Sequence, residues 1–234
     1  MTRFTIYLCF LLYSFSTNAQ FDYSIDFVTG VDRNEVSSGL SSGEYTPTYS
    51  YRTGINLNYK FTNHFFLKTG LRFAVLKTKH EIDNLRWSSE IGPNGWMPDP
   101  TLPRSIESIV NRRCIELPLH VRYQFGKGRL SGFTEIGISP HIYLNTQNVN
   151  STNLETVVST IDETEFGTRR FVNAFVFSVG VNYAITSKLQ LFAQPVFRKY
   201  QEFIPNSPME GAQTNFGLEF GIRRGFGFGG NEDI

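Results

Sequence analysis

The chain has 234 residues, including 22 Phe, 11 Tyr and 20 Gly, and a formal net charge of +1. So small a net charge offers no polyanion-binding surface, so nucleic acid is not expected as a partner, and there is no charged disordered tail. A slightly negative mean hydropathy excludes a multi-helix membrane protein but not a membrane β-barrel, in which half of every strand is polar.

Residues 1–19 read as a secretory signal. Arg3 gives a short positive start, Phe4 to Phe15 is apolar but too short to span as a helix, and Ser16-Thr17-Asn18-Ala19 supplies small residues before a cut at Ala19–Gln20. A buried N-terminal helix is the competing reading. Cys9 falls inside the apolar run, which argues against a lipid anchor. Without it the mature chain keeps one thiol, Cys114, and no internal disulfide.

The first mature strand is expected over about Tyr23 to Val31, followed by a Ser/Gly-rich loop, Asp32 to Thr46. Between Tyr49 and Phe61 every odd residue is Tyr, Thr, Ile, Leu or Phe, and every even residue is polar, charged or Gly. After Thr62-Asn63-His64 the alternation resumes, with Phe65, Leu67, Thr69, Leu71, Phe73 and Val75 on one face. A period of two held for more than ten residues exceeds an ordinary soluble strand of about 5–6 residues and suits a membrane-crossing strand of roughly 9–11.

Lys77 to Asn111 reads as a long ordered loop, broken by Pro93, Pro98, Pro100 and Pro103 and carrying Trp87 and Trp96. Strand four runs from Arg113 to Phe125 and strand five from Leu130 to Leu144, joined at Gly126-Lys127-Gly128-Arg129. Asn145 to Arg169 reads as a second long loop. Strand six ends at Ile185, strand seven is Leu189 to Tyr200, and strand eight is about Gln213 to Arg224. Three tight turns alternate with four longer connections. The expected fold is all-β: an eight-stranded antiparallel transmembrane up-and-down barrel over residues 20–224, with short periplasmic turns, long extracellular loops and a short periplasmic tail, 225–234.

A soluble barrel of lipocalin type would turn its apolar face inward. The inverted arrangement is favoured because the polar face is rich in Gly and small residues, the apolar face is almost free of charge, and aromatic residues gather at strand ends: Tyr59, Phe61, Phe65, Tyr123, Phe125 and Tyr183. The lumen should then hold Asp26, Arg52, Lys60, Lys68, Arg72, Glu116, His120, Arg122, Glu135, Arg198, Glu219 and Arg223 as an interlocked polar network rather than a channel, because eight strands leave room for little more than side chains. If Phe125 faces Leu130, His120 falls opposite Glu135 and Cys114 opposite His141. Pro118 and Pro195 each demand a bulge or a missing ladder bond.

The run Ile115-Glu116-Leu117-Pro118-Leu119-His120-Val121-Arg122-Tyr123, with Glu135-Ile136-Gly137 and Gly180-Val181-Asn182-Tyr183, resembles the eight-stranded outer-membrane barrels of Bacteroidetes described as porin-family or PorT-like. The resemblance implies an outer-membrane location, contact with outer-membrane lipid and insertion by the barrel assembly machinery. Gly217, Phe220 and Ile222 fit the assembly signal of such barrels. It implies no demonstrated pore.

No cofactor or metal site is expected: the four His have no ligand spacing, and the Gly225–Gly230 run has no helix behind it. No catalysis is expected either. A lipid-modifying enzyme would need a nucleophile and base near the outer leaflet; His80 and Ser88-Ser89-Glu90 in the long loop offer such groups but are ordinary loop residues. A small-solute porin and a secretion-associated role are further alternatives. Trp87 and Trp96 are candidate loop contacts for an envelope protein partner.

Overall fold

The computed structural model describes residues 23–36, 44–83, 85, 91–92, 95–96, 102–126, 128–161, 169–202 and 213–226. Eight long strands form a closed antiparallel ring. They are β1 (Tyr23–Val36), β2 (Thr48–Lys60), β3 (Phe65–Ile82), β4 in two segments (Ile106–Glu116 and Leu119–Phe125), β5 (Leu130–Thr152), β6 (Phe171–Ala184), β7 (Leu189–Tyr200) and β8 (Gln213–Phe226). Each pairs with its sequence neighbours, and β8 closes on β1 with Tyr23 opposite Phe226 and Val36 opposite Gln213. Closure satisfies the backbone around the ring, which a hydrocarbon surround requires.

The faces sort as the alternation demands. On β6 the outward Phe175, Phe177, Val179, Val181 and Tyr183 are 43–51% exposed, while Val172, Ala174, Val176, Ser178 and Asn182 are buried. The exposed face is apolar around the ring, and the buried side chains include four Arg and a Lys at no more than 1% exposure. This is a barrel turned inside out relative to a soluble one. At the turn end, Phe61 and Phe65 (6.0 Å between rings), Phe65 and Tyr123 (5.0 Å) and Tyr123 and Phe125 (6.3 Å) form one arc of an aromatic girdle.

Two glycine uses are required by geometry. Gly126 and Gly128 turn β4 into β5 with φ of +86° and +91°, a region side chains avoid. On the inner face, a Cβ on Gly180 would sit 2.8 Å from both Ala193 O and Gln194 Cβ, so only Gly lets β6 lie this close beneath β7.

Several expectations are corrected. Asp32 to Thr46 is not all loop: β1 continues to Val36, and Glu44–Thr46 pairs with Lys79–Glu81. The loops 77–111 and 145–169 are in part ladder, since β3 and β4 stay paired out to Ile82–Ile106, β4 and β5 out to Ile106–Thr152, and Thr156–Ile161 folds back on β5. Hydrogen bonding continues past the membrane because polar strands in water pair as well as apolar ones; only their side chains change. β8 runs to Phe226, so the barrel extends past residue 224. The register of β4 and β5 also differs, because the turn consumes two more residues on the β5 side. Phe125 faces Gly132, so Arg122, not His120, lies opposite Glu135, and Cys114 lies opposite Tyr143.

Both prolines interrupt pairing. Pro118 divides β4, with Leu117 N–H still donating to Pro140 O at 2.8 Å. At Pro195, β7 keeps its register with β8, but pairing with β6 lapses between Ser178–Val196 and Val181–Ala193. A bulge between Arg113 and Cys114, with Leu144 as the extra residue on β5, reverses the parity above it, so Thr146 rather than Asn145 is fully buried.

Candidate functional site

The lumen is filled by two tiers of charge. The outer tier sets three guanidinium groups against three carboxylates. Arg52 donates to Glu116 Oε2 (2.5 Å), to Asp32 and to Tyr200 Oη (3.2 Å). Arg72 donates to Glu219 Oε1 (3.0 Å), Glu116 Oε1 (3.4 Å) and Asn56 Oδ1 (2.8 Å). Arg198 donates to Asp32 Oδ1 (2.8 Å) and to Glu219, whose second oxygen takes a bond from Gln194 Nε2 (2.6 Å). Six strands contribute, so each carboxylate is bridged by more than one strand, and desolvation is offset by several charge-assisted bonds per group.

The inner tier lies towards the short turns. Lys68 Nζ is 3.1 and 2.9 Å from the two oxygens of Glu135, which Arg122 also grips. Arg223 holds Asp26 bidentately at 2.7 and 3.0 Å. Three cations here meet two carboxylates. The surplus positive charge faces aromatic rings: the Arg122 guanidinium lies 4.2 Å from the Phe133 centroid and that of Arg223 lies 5.4 Å from Phe192. His120 Nε2 is 3.0 Å from Ser139 Oγ, and His141 Nδ1–H donates to Ser139 O at 2.8 Å. Leu76, Cys114, Tyr143, Val172 and Tyr200 form an apolar cluster at the outer end of the lumen.

Eleven of the twelve lumen residues expected from sequence are brought together here. Lys60 is the exception; it is only part-buried, at the turn end of β2 opposite Phe66. Asn56, His141 and Gln194, which the alternation puts on the polar face without naming them in the network, also join it, and so do Asp32 and Tyr200, which the sequence reading does not single out. Asp32 falls in the stretch that composition reads as loop, although Asp26, Gly30, Asp32 and Asn34 continue one parity, the signal that marks it as inward. Cys114 is buried within the lumen and bears no disulfide. Ala19, Gln20, Trp87 and Ser88–Glu90 lie outside the described residues; Trp96 pairs with Ile91 in a two-residue hairpin. Among the described residues no His/Cys/Asp/Glu group is arranged to hold a metal.

Above the membrane band, β3, β4 and β5 project as a sheet flanked by Glu44–Thr46 on one side and Thr156–Ile161 on the other. Lys79 Nζ sits there, 2.5 Å from Glu81 Oε1 and 3.0 Å from Glu107 Oε2, and Thr46 Oγ1 donates to Glu81 at 3.0 Å. Hydrogen bonds from Lys79 and then Thr46 hold the Glu81 carboxyl below its usual range, and bonds to Glu81 and then Glu107 raise Lys79.

A sequence profile of the family described as outer membrane protein beta-barrel domain matches residues 12–203. The chain belongs to this family. It is a protein of the bacterial outer membrane, and the apolar belt is its lipid-facing surface. No curated protein matches it in sequence. Among solved structures it is similar to neisserial surface protein A (15% identity, 89% of this chain and 98% of that one, TM-score 0.43). It is also similar to the attachment invasion locus protein Ail of Yersinia pestis (8%, 89% and 100%, TM-score 0.40) and to OprG of Pseudomonas aeruginosa (8%, 90% and 97%, TM-score 0.38).

Proposed function

We propose that this outer-membrane barrel is a closed anchor that carries a partner-binding surface on its extracellular sheet and loops, and that it works without catalysis or solute flow. The observation that carries the reading is the interlocked outer tier. Arg52, Arg72 and Arg198 are each at most 1% exposed and each paired with at least two carboxylates, one on a neighbouring strand and one across the lumen (Arg52–Glu116, Arg72–Glu219, Arg198–Asp32), so an opening would have to separate several buried ion pairs at once. Such separation costs about 3–5 kcal/mol for each group left unpaired, too much for a resting pore. The strand-four run Ile115 to Tyr123 supports kinship with the porin-family, PorT-like barrels of Bacteroidetes, and outer-membrane lipid and the assembly machinery are the expected contacts of any such barrel. The test is single-channel recording of the purified, heat-modifiable protein in planar bilayers. A silent bilayer is expected, and stable conductance steps would refute the closed lumen.

A further inference from the structure

The projecting sheet ends in an edge that is unusually well prepared to take another strand. After the turn at Thr152–Glu155, Thr156–Ile161 pairs with Thr146–Ser151 of β5. Thr152 N–H donates to Glu155 O at 2.8 Å, which fixes the ladder's parity: hydrogen-bonded pairs recur at Val157–Asn150, Ser159–Asn148 and Ile161–Thr146. Thr156, Val158 and Thr160 therefore turn their N–H and C=O groups away from β5. Among the described residues no strand pairs with that outer side.

Natural edge strands are protected by charge, Pro, bulges or shortness. Thr156-Val157-Val158-Ser159-Thr160-Ile161 has no charged residue and no Pro, and five of its six residues are β-branched. Val157 and Val158 are 48% and 57% exposed, and the strand stands beyond Leu144, the last lipid-exposed residue of β5. Such an edge favours strand addition from another chain.

We propose that this edge captures an extended, uncharged segment of another polypeptide as an added β-strand; the proposal rests on the reading of the extracellular surface as the working surface. A second copy in the same membrane does not fit. Copies sharing a membrane are related by an axis along its normal, and barrel strands, tilted about 35–45° from that axis, cannot be brought antiparallel by it. The outward groups are self-complementary only antiparallel, with Val158 opposite Val158 and Thr156 opposite Thr160. The absence of charge on the edge leaves recognition to the ladder and to small β-branched side chains, so the captured segment is itself free of charge where it pairs.

The test uses the full chain in lipid nanodiscs and, as probe, a capped synthetic hexapeptide Thr-Val-Val-Ser-Thr-Ile, which is free to adopt the antiparallel register. Amide hydrogen exchange is read residue by residue. The amides of Thr156, Val158 and Thr160 should exchange fast alone and slow by about tenfold or more with peptide. Those of Val157 and Ser159, already bonded to β5, should change little. A peptide N-methylated at its second Val should have no effect, and neither should the parent peptide on a Val158→Pro variant that retains heat-modifiable folding. Slow exchange of the three amides without peptide, equal protection by the methylated peptide, or Val158-dependent dimers in light scattering would each overturn the proposal. A silent lumen with an unresponsive edge would remove strand capture alone and leave the anchor reading intact.

Discussion

Arg52 Nη1 lies 2.5 Å from Glu116 Oε2, and this pair ties β2 to β4 across the lumen although β3 separates the two strands in the sheet. Such ties cross the barrel where the ladder cannot. Arg52→Met and Glu116→Gln should each destabilise the barrel by about 3–5 kcal/mol, because each leaves a buried charge or its partner unmatched. The double variant should cost less than the sum, with a coupling of about 1–3 kcal/mol. Urea unfolding in lipid vesicles measures all three, and strict additivity would show that the pair is not a unit.

On the closed-anchor reading, the outer tier is also the plug. Replacing Arg52, Arg72 and Arg198 together with Glu219 by Ser removes long side chains from both signs at once and leaves a hydrated space where ion pairs stood. Small, discrete conductance steps are expected from this quadruple variant in planar bilayers. If the variant folds and stays as silent as the parent, the block lies elsewhere, with the apolar cluster of Leu76, Tyr143 and Val172 the next place to cut.

The barrel was legible because a single physical rule, lipid outside and a crowded polar interior, acts on every second residue from Tyr49 to Phe61 and again on β6 and β8. Arg52, Arg72, Arg122 and Glu135 could be assigned to the lumen on parity alone. What parity cannot carry is phase across an interruption. The bulge at Leu144 reverses the faces of β5 beyond it. The turn at Gly126 shifts β4 against β5 by two residues, which preserves parity but hides the opposition of Arg122 and Glu135. The outer extension was hidden for a different reason. Once strands leave the lipid, their outward residues need no longer be apolar, and Asn145 to Thr152 lacks the contrast that marks a strand although it pairs like one.

Lys79 and Glu81 stand in water above the membrane band, and the two should titrate as their bonds dictate. Glu81 is held below the ordinary carboxylate range, so whatever it adds to the outer sheet is present above the unfolded value and lost as pH falls through the lowered folded one. Lys79 is raised, so its share is present below the unfolded value and lost as pH rises through the raised one. NMR titration of the Glu81 carboxyl should show a depressed midpoint that climbs towards the ordinary range in Lys79→Met and in high salt. An unmoved midpoint in that variant would assign the shift to Thr46 alone.

A depth series on one strand tests where the lipid lies. Ile55 is midway along the outward row of β2 that begins at Tyr49 and leads to Phe61 beside the turn; all three are exposed, at 49%, 67% and 50%. In a soluble setting, Arg at any of the three would cost little. In the bilayer, Ile55→Arg should destabilise by about 2–4 kcal/mol, whereas Phe61→Arg and Tyr49→Arg, at the two interfaces, should cost about 0–1 kcal/mol each. Folding free energies in vesicles give the profile directly. A flat profile would move the hydrocarbon away from β2, and a maximum displaced from Ile55 would re-site its midplane along the strand.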